Sequence, residues 1–197
     1  KVTCTKSNEG FATAGGVQYV ACAGNFKDAG LEYTGALKVL QMIFSYEYLW
    51  IQIRVKGGAY GCMCSFSDQG DSMFVTYRDP NLSESYKVYD EAADYVADFD
   101  ADDRDMKKYI IGTIGSMDMP MEAVDMGARS FHAYFLGKTE ADLQKVRDQV
   151  LSCTQEDIRA LAPIVKAVVE AGNRCCIGNE EKIDQNKEYF DEVKHVL

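Results

Sequence analysis

The segment 31–55 constrains the fold more than any other part of the chain. Leu37, Leu40, Phe44, Tyr48 and Ile51 form one apolar stripe at helical spacing, while Val39, Met42, Ile43, Trp50 and Ile53 lie largely off it. A helix that is apolar most of the way round is buried on more than one side. The spacing therefore predicts one long helix, closed by Gly57-Gly58, with a neighbouring domain covering its second face. A free-standing peptide-binding module is disfavoured on the same ground, because that face would be left exposed.

The rest of the chain arranges itself around this helix. Residues 17–22 read as a strand, stopped by Gly24-Asn25. Two alternating runs, 59–66 and 72–78, joined by a turn containing Gly70, predict a hairpin. Asp79-Pro80 ends it, since the residue before Pro avoids helix and Pro has no N–H for a ladder. Helices are expected over 83–98, 102–116 and 120–136, the third with Pro120 in its first turn. Thr139 and Thr154 each stand three residues before an acid, Asp142 and Asp157, as in a capping box, and Pro163 would kink the second of these helices. A short strand at 174–177, a turn at Gly178-Asn179 and a last helix over 180–196 complete the pattern. The order predicts an α+β fold, a βαββαβ-type antiparallel or mixed sheet with helices on one face and an enlarged helical crossover. Residues 1–197 are expected to form a single domain of a longer polypeptide.

Charge and composition exclude several roles. A net charge of -10 disfavours nucleic acid, whose phosphates require a basic face. Acids are densest between Glu84 and Asp105. They read as the solvated side of a helix pair, or as a surface that attracts basic peptides. No apolar run reaches the roughly 18 residues that a membrane span requires. The opening Lys-Val-Thr-Cys shows no basic and apolar leader pattern, so no secretory signal is expected. Seven irregularly spaced Cys fit buried thiols in a reducing compartment. Neither Cys62 with Cys64 nor Cys175-Cys176 has the two-residue gap that lets two thiolates close on one metal.

The run Arg54-Val55-Lys56-Gly57-Gly58-Ala59-Tyr60-Gly61 has two readings. Cations in a last helical turn complement the dipole, and a following Gly supplies a left-handed cap. On that reading Tyr60 is an ordinary strand aromatic. The alternative is that Arg54 and Tyr60 are site residues.

This run resembles the signature of the inverted-motif zinc peptidases, the insulinase/pitrilysin family, and in particular its presequence-protease branch. Residues 19–26, 33–37, 76–80 and 109–114 resemble the same branch, so the similarity extends over about 17–179. The resemblance implies a zinc metalloendopeptidase of four related αβ domains, of which this is the fourth. Its zinc motif, H-x-x-E-H, would lie in the first domain. Only His132 and His195 occur here, so no zinc is expected to bind this chain and the isolated domain is expected to be inactive. The resemblance makes Tyr60 the donor to the scissile carbonyl's oxyanion and Arg54 the residue that holds the substrate backbone.

Further expectations depend on that assignment. Gly57 and Gly58 would let the substrate backbone approach, and Cys62 and Cys64 would share the face of Tyr60 while Met63 turns toward the helices. Arg78 would either face substrate or pair with Asp79, the pairing being favoured. Short unstructured peptides are the implied substrates, and the remaining domains of the polypeptide the implied partners. The compartment implied is the cytoplasm, or alternatively an organelle matrix. A non-catalytic scaffold or peptide-binding subunit of the same fold is the competing function.

Overall fold

The computed structural model describes residues 5–196. Two strands open it, β1 (Glu9–Thr13) and β2 (Tyr19–Asn25), followed by helix α1 (Ala36–Tyr46) and a π-helical segment (Trp50–Lys56). The predicted hairpin is present as β3 (Gly61–Phe66) and β4 (Asp71–Tyr77). Seven helices then form the enlarged crossover. They are α2 (Ser83–Asp90), α3 (Ala92–Ala97), α4 (Asp103–Met117), α5 (Ala123–Phe135), α6 (Glu140–Leu151), α7 (Gln155–Arg159) and α8 (Ala162–Glu170). The chain closes with β5 (Asn173–Asn179), α9 (Glu180–Gln185) and β6 (Glu192–His195).

The six strands form one mixed sheet in the order β3-β4-β2-β5-β1-β6. The three pairings from β3 to β5 are antiparallel, whereas β1 runs parallel to both β5 and β6. The pleat sorts side chains cleanly. Val20, Cys22, Cys64, Phe66, Phe74 and Cys176 are buried beneath helices, while Tyr19, Met63, Met73, Tyr77 and Ile177 are exposed on the opposite face. The α+β class with helices on one face is the observed architecture.

Several expectations needed correction. The long helix over 31–55 is two pieces: α1 stops at Tyr46, Glu47 leaves helical geometry (φ -110, ψ -88), and the chain resumes as the π-helix. Its second apolar side is covered by α4, α6 and α7 of this same chain, so that burial does not call for another domain. The helix over 83–98 is divided between α2 and α3, and Pro120 precedes α5 rather than lying in its first turn. Gly178 and Asn179 belong to β5, and Asn179 caps α9 by accepting from the Lys182 N–H at 3.1 Å. The last helix is short, and residues 192–195 join the sheet. Both Thr capping boxes are present; the second helix ends at Arg159, and Pro163 lies in the first turn of α8 beyond that break.

Candidate functional site

Arg54 and Tyr60 meet at one end of the sheet, where the π-helix gives way to β3. Backbone bonds fix the turn between them: Gly57 N–H to Gln52 O at 3.0 Å, Gly58 N–H to Arg54 O at 3.0 Å and Ala59 N–H to Ile53 O at 3.1 Å. Each glycine has its own steric reason. A Cβ on Gly57 would sit 2.5 Å from the Ile53 carbonyl oxygen, and Gly58 adopts φ +80, a conformation open mainly to glycine. The left-handed cap thus falls on Gly58, whereas Gly57 is helical (φ -80, ψ -20). The Asn81 side chain donates to Gly57 O at 2.6 Å and holds the turn from below.

The π-helix places Arg54 in an aromatic setting. Its guanidinium carbon lies 4.5 Å from the Trp50 ring centroid and 5.4 Å from that of Tyr60. Tyr60 in turn meets Tyr77 edge-on at 5.8 Å, and Tyr77 meets Tyr19 at 5.4 Å. Rings hold this cation, so its donors stay available to a ligand. Short π segments recur at functional sites, and none of the local residue types signals one in advance. Tyr60 is 65% exposed, Arg54 is half-buried, and with Val17, Gly58, Ala59 and Arg78 they line a shallow hollow.

Arg78 and Asp79 separate instead of pairing. Asp79 is buried and accepts from Ser85 Oγ at 2.6 Å and from the Asn81 N–H at 2.9 Å. Burial raises its carboxyl above the usual carboxylate range, and these hydrogen bonds oppose that shift. Arg78, at φ 51, turns its exposed side chain toward the hollow while its carbonyl accepts from the Tyr60 N–H at 3.3 Å. Asp79 therefore fixes the loop behind the site, a function that the simple Arg-Asp reading missed.

The expected facing of Cys62 and Cys64 is reversed. Cys64 is buried under the helices and Met63 is 56% exposed on the open face. Tyr60 precedes β3, so strand alternation does not carry back to it. Burial pushes the Cys62 thiol up to about 11, with Arg54 pulling it the other way, and burial raises Cys22 to about 11. A raised thiol pKa favours the protonated folded state. The stabilisation is complete below the ordinary value of 9.0 and is lost as pH climbs toward 11. The thermal midpoint should therefore fall across that window, and a flat midpoint would mean that these thiols are solvated.

No cluster of three or more His, Cys, Asp or Glu side chains able to hold a metal occurs among the described residues. His132 lies on the exposed α5, and His195 lies on β6 with its Nδ1 3.2 Å from Glu180 Oε1, so the two histidines do not converge on one ion. The donor set of the described residues does not fit a zinc site. No helix of the described residues is long and apolar enough to cross a membrane.

The sequence model described as the PreP C-terminal domain matches residues 8–179. Protein HypA of Clostridium perfringens is 43% identical over 192 residues, covering 98% of this chain and 20% of that protein. Presequence protease 1, chloroplastic/mitochondrial, of Arabidopsis thaliana is 34% identical over 194 residues, covering 96% and 18% respectively. The chain thus spans about a fifth of the length of these relatives. Among solved structures, the peptidase M16 inactive domain from Pseudomonas fluorescens shares the fold with a TM-score of 0.63 at 16% identity, covering 88% of this chain and 44% of that one. Pitrilysin matches with a TM-score of 0.55 at 12% identity over 89% of this chain and 20% of its own.

Proposed function

Because the chain belongs to the PreP C-terminal domain family, we propose that it forms the substrate-gripping wall of a zinc metalloendopeptidase, with residues 1–197 as one domain of the complete polypeptide. The Arg54 guanidinium, 5.4 Å from the Tyr60 ring, carries this reading. Cation and phenol stand together beside an open sheet face, neither engaged as an ordinary core contact. The Tyr60 hydroxyl donates to the oxygen of the scissile carbonyl as negative charge develops there, and Arg54 donates to a neighbouring substrate carbonyl. Donors fixed in advance pay no reorganisation cost as that charge appears.

Gly57 and Gly58 differ in this scheme. Gly58, exposed and free of a side chain, lets a substrate backbone approach the turn, whereas Gly57 serves the turn itself. In this scheme the zinc is held by another part of the polypeptide, as the described residues offer no cluster of ligands, and the isolated chain is inactive. Substrates are short unstructured peptides, which can extend along the site. Catalysis is then conditional on the two walls closing together. The free cysteines Cys22, Cys62, Cys64, Cys153, Cys175 and Cys176 fit a reducing cytoplasm or organelle matrix.

Trp50 provides a test of this geometry, because its ring face holds the Arg54 guanidinium at 4.5 Å. Replacing Trp50 with Ala removes a cation–π contact worth about 0.5–2 kcal/mol, which corresponds to a loss of roughly 2- to 30-fold in kcat/KM in the complete enzyme. A kcat/KM equal to that of the unaltered enzyme would mean that Arg54 is not held for substrate.

A further inference from the structure

We propose that the outward face of α5 is an interdomain interface, covered in the complete polypeptide by another domain of the same chain. Helix α5 buries none of its residues. Val124, Phe131 and Phe135 recur at helical spacing and, with Tyr134 beside them, are 72%, 61%, 69% and 82% exposed respectively. The tilted rings of Phe131 and Phe135 pack with centroids 4.6 Å apart, so the patch is continuous and aromatic. A monomeric surface rarely leaves such a patch open, and aromatic residues are the type enriched at interface centres.

Ion pairs of the flanking segments frame this helix. Arg147 of α6 holds Asp118, which follows α4, with two hydrogen bonds at 2.6 and 2.7 Å. At the other end Lys138 pairs with Asp68 in the β3–β4 turn. Helix α5 lies between these two contacts with its apolar side exposed.

The occupant follows from chain length and charge. Relatives carry about four-fifths of their length outside the matched region. In three solved structures that share this fold the similar unit fills only 44% or 45% of the chain, with a comparable length beside it. A second copy is disfavoured by the net charge of -10 on each molecule. This inference rests on the reading that the chain is one domain of a longer enzyme.

Hydroxyl-radical footprinting of the complete polypeptide tests the interface without altering it. Phe131, Tyr134 and Phe135 should be labelled several-fold more slowly than in the denatured protein. Met126, half-exposed on the opposite side of the same helix, should be labelled freely. Labelling of the three aromatics at their denatured rate would overturn the proposal. Protection that disappears on dilution would identify a second copy as the occupant and overturn it too. Peptidase activity assayed on the same sample separates the two readings, because an active enzyme with unprotected α5 aromatics loses only the interface.

Discussion

Replacing Tyr60 with Phe is expected to lower kcat in the complete enzyme by about 100- to 1,000-fold, the usual cost of removing one donor to a developing oxyanion. The substitution deletes a single oxygen. Its ring keeps the edge-on contact with Tyr77 at 5.8 Å and the Arg54 guanidinium at 5.4 Å, so the local packing has no reason to change. Tyr60 is also 65% exposed, and removing its hydroxyl leaves no buried group unsatisfied. The loss should therefore fall on kcat, with KM and zinc content nearly unaltered. A donor engaged in the transition state alone gives that signature, whereas a residue that merely binds substrate would raise KM. An unchanged kcat would remove Tyr60 from the mechanism and leave the open face as a binding surface only.

The parts of the fold that the sequence disclosed are those fixed by local chemistry. Thr139 and Thr154 start their helices through contacts three residues away, and the β3–β4 hairpin depends on a short turn and period-two alternation. The strands β1 and β6 had no such signal. Glu9–Thr13 is five residues long and pairs with residues 175–179 and 192–195, so its register is supplied from the far end of the chain. Residues 192–195 read as the continuation of a helix because their neighbours are good helix formers, and tertiary pairing overrode that preference.

The candidate site was legible in a similar, partial way. Arg54, Gly57, Gly58 and Tyr60 stand in one short run, 54–61, whose residue types allowed a capping reading as well as a site reading, and only the family resemblance singled them out. What could not be read was the π-helical winding that brings Trp50 under Arg54, or the buried Asp79 that fixes the loop behind. Both depend on contacts made after the helix and hairpin have packed. The facing of Cys62 and Cys64 failed for a related reason: alternation holds within β3, and Tyr60 lies outside it.

The same segment that opened the fold also carries its most sensitive core position. Phe44 is fully buried on α1 and its ring lies 5.9 Å from Tyr48, 6.4 Å from Phe66, 5.8 Å from Phe74 and 6.1 Å from Tyr95. These partners belong to both strands of the hairpin and to two flanking helical segments, so no single element can move in to fill the space. Phe44→Ala is accordingly expected near the upper part of the roughly 3–5 kcal/mol range for truncating a buried Phe. Against a typical total stability of about 5–15 kcal/mol, that is a large share. At about 2–4 °C per kcal/mol for a domain of this size, the thermal midpoint should drop by on the order of 10 °C. Thermal unfolding followed by circular dichroism reads the shift directly. A drop of only a degree or two would show that the aromatic cluster repacks around the cavity. In that case Phe66 and Phe74, which position the hairpin leading to Tyr60, would not depend on α1 for their placement.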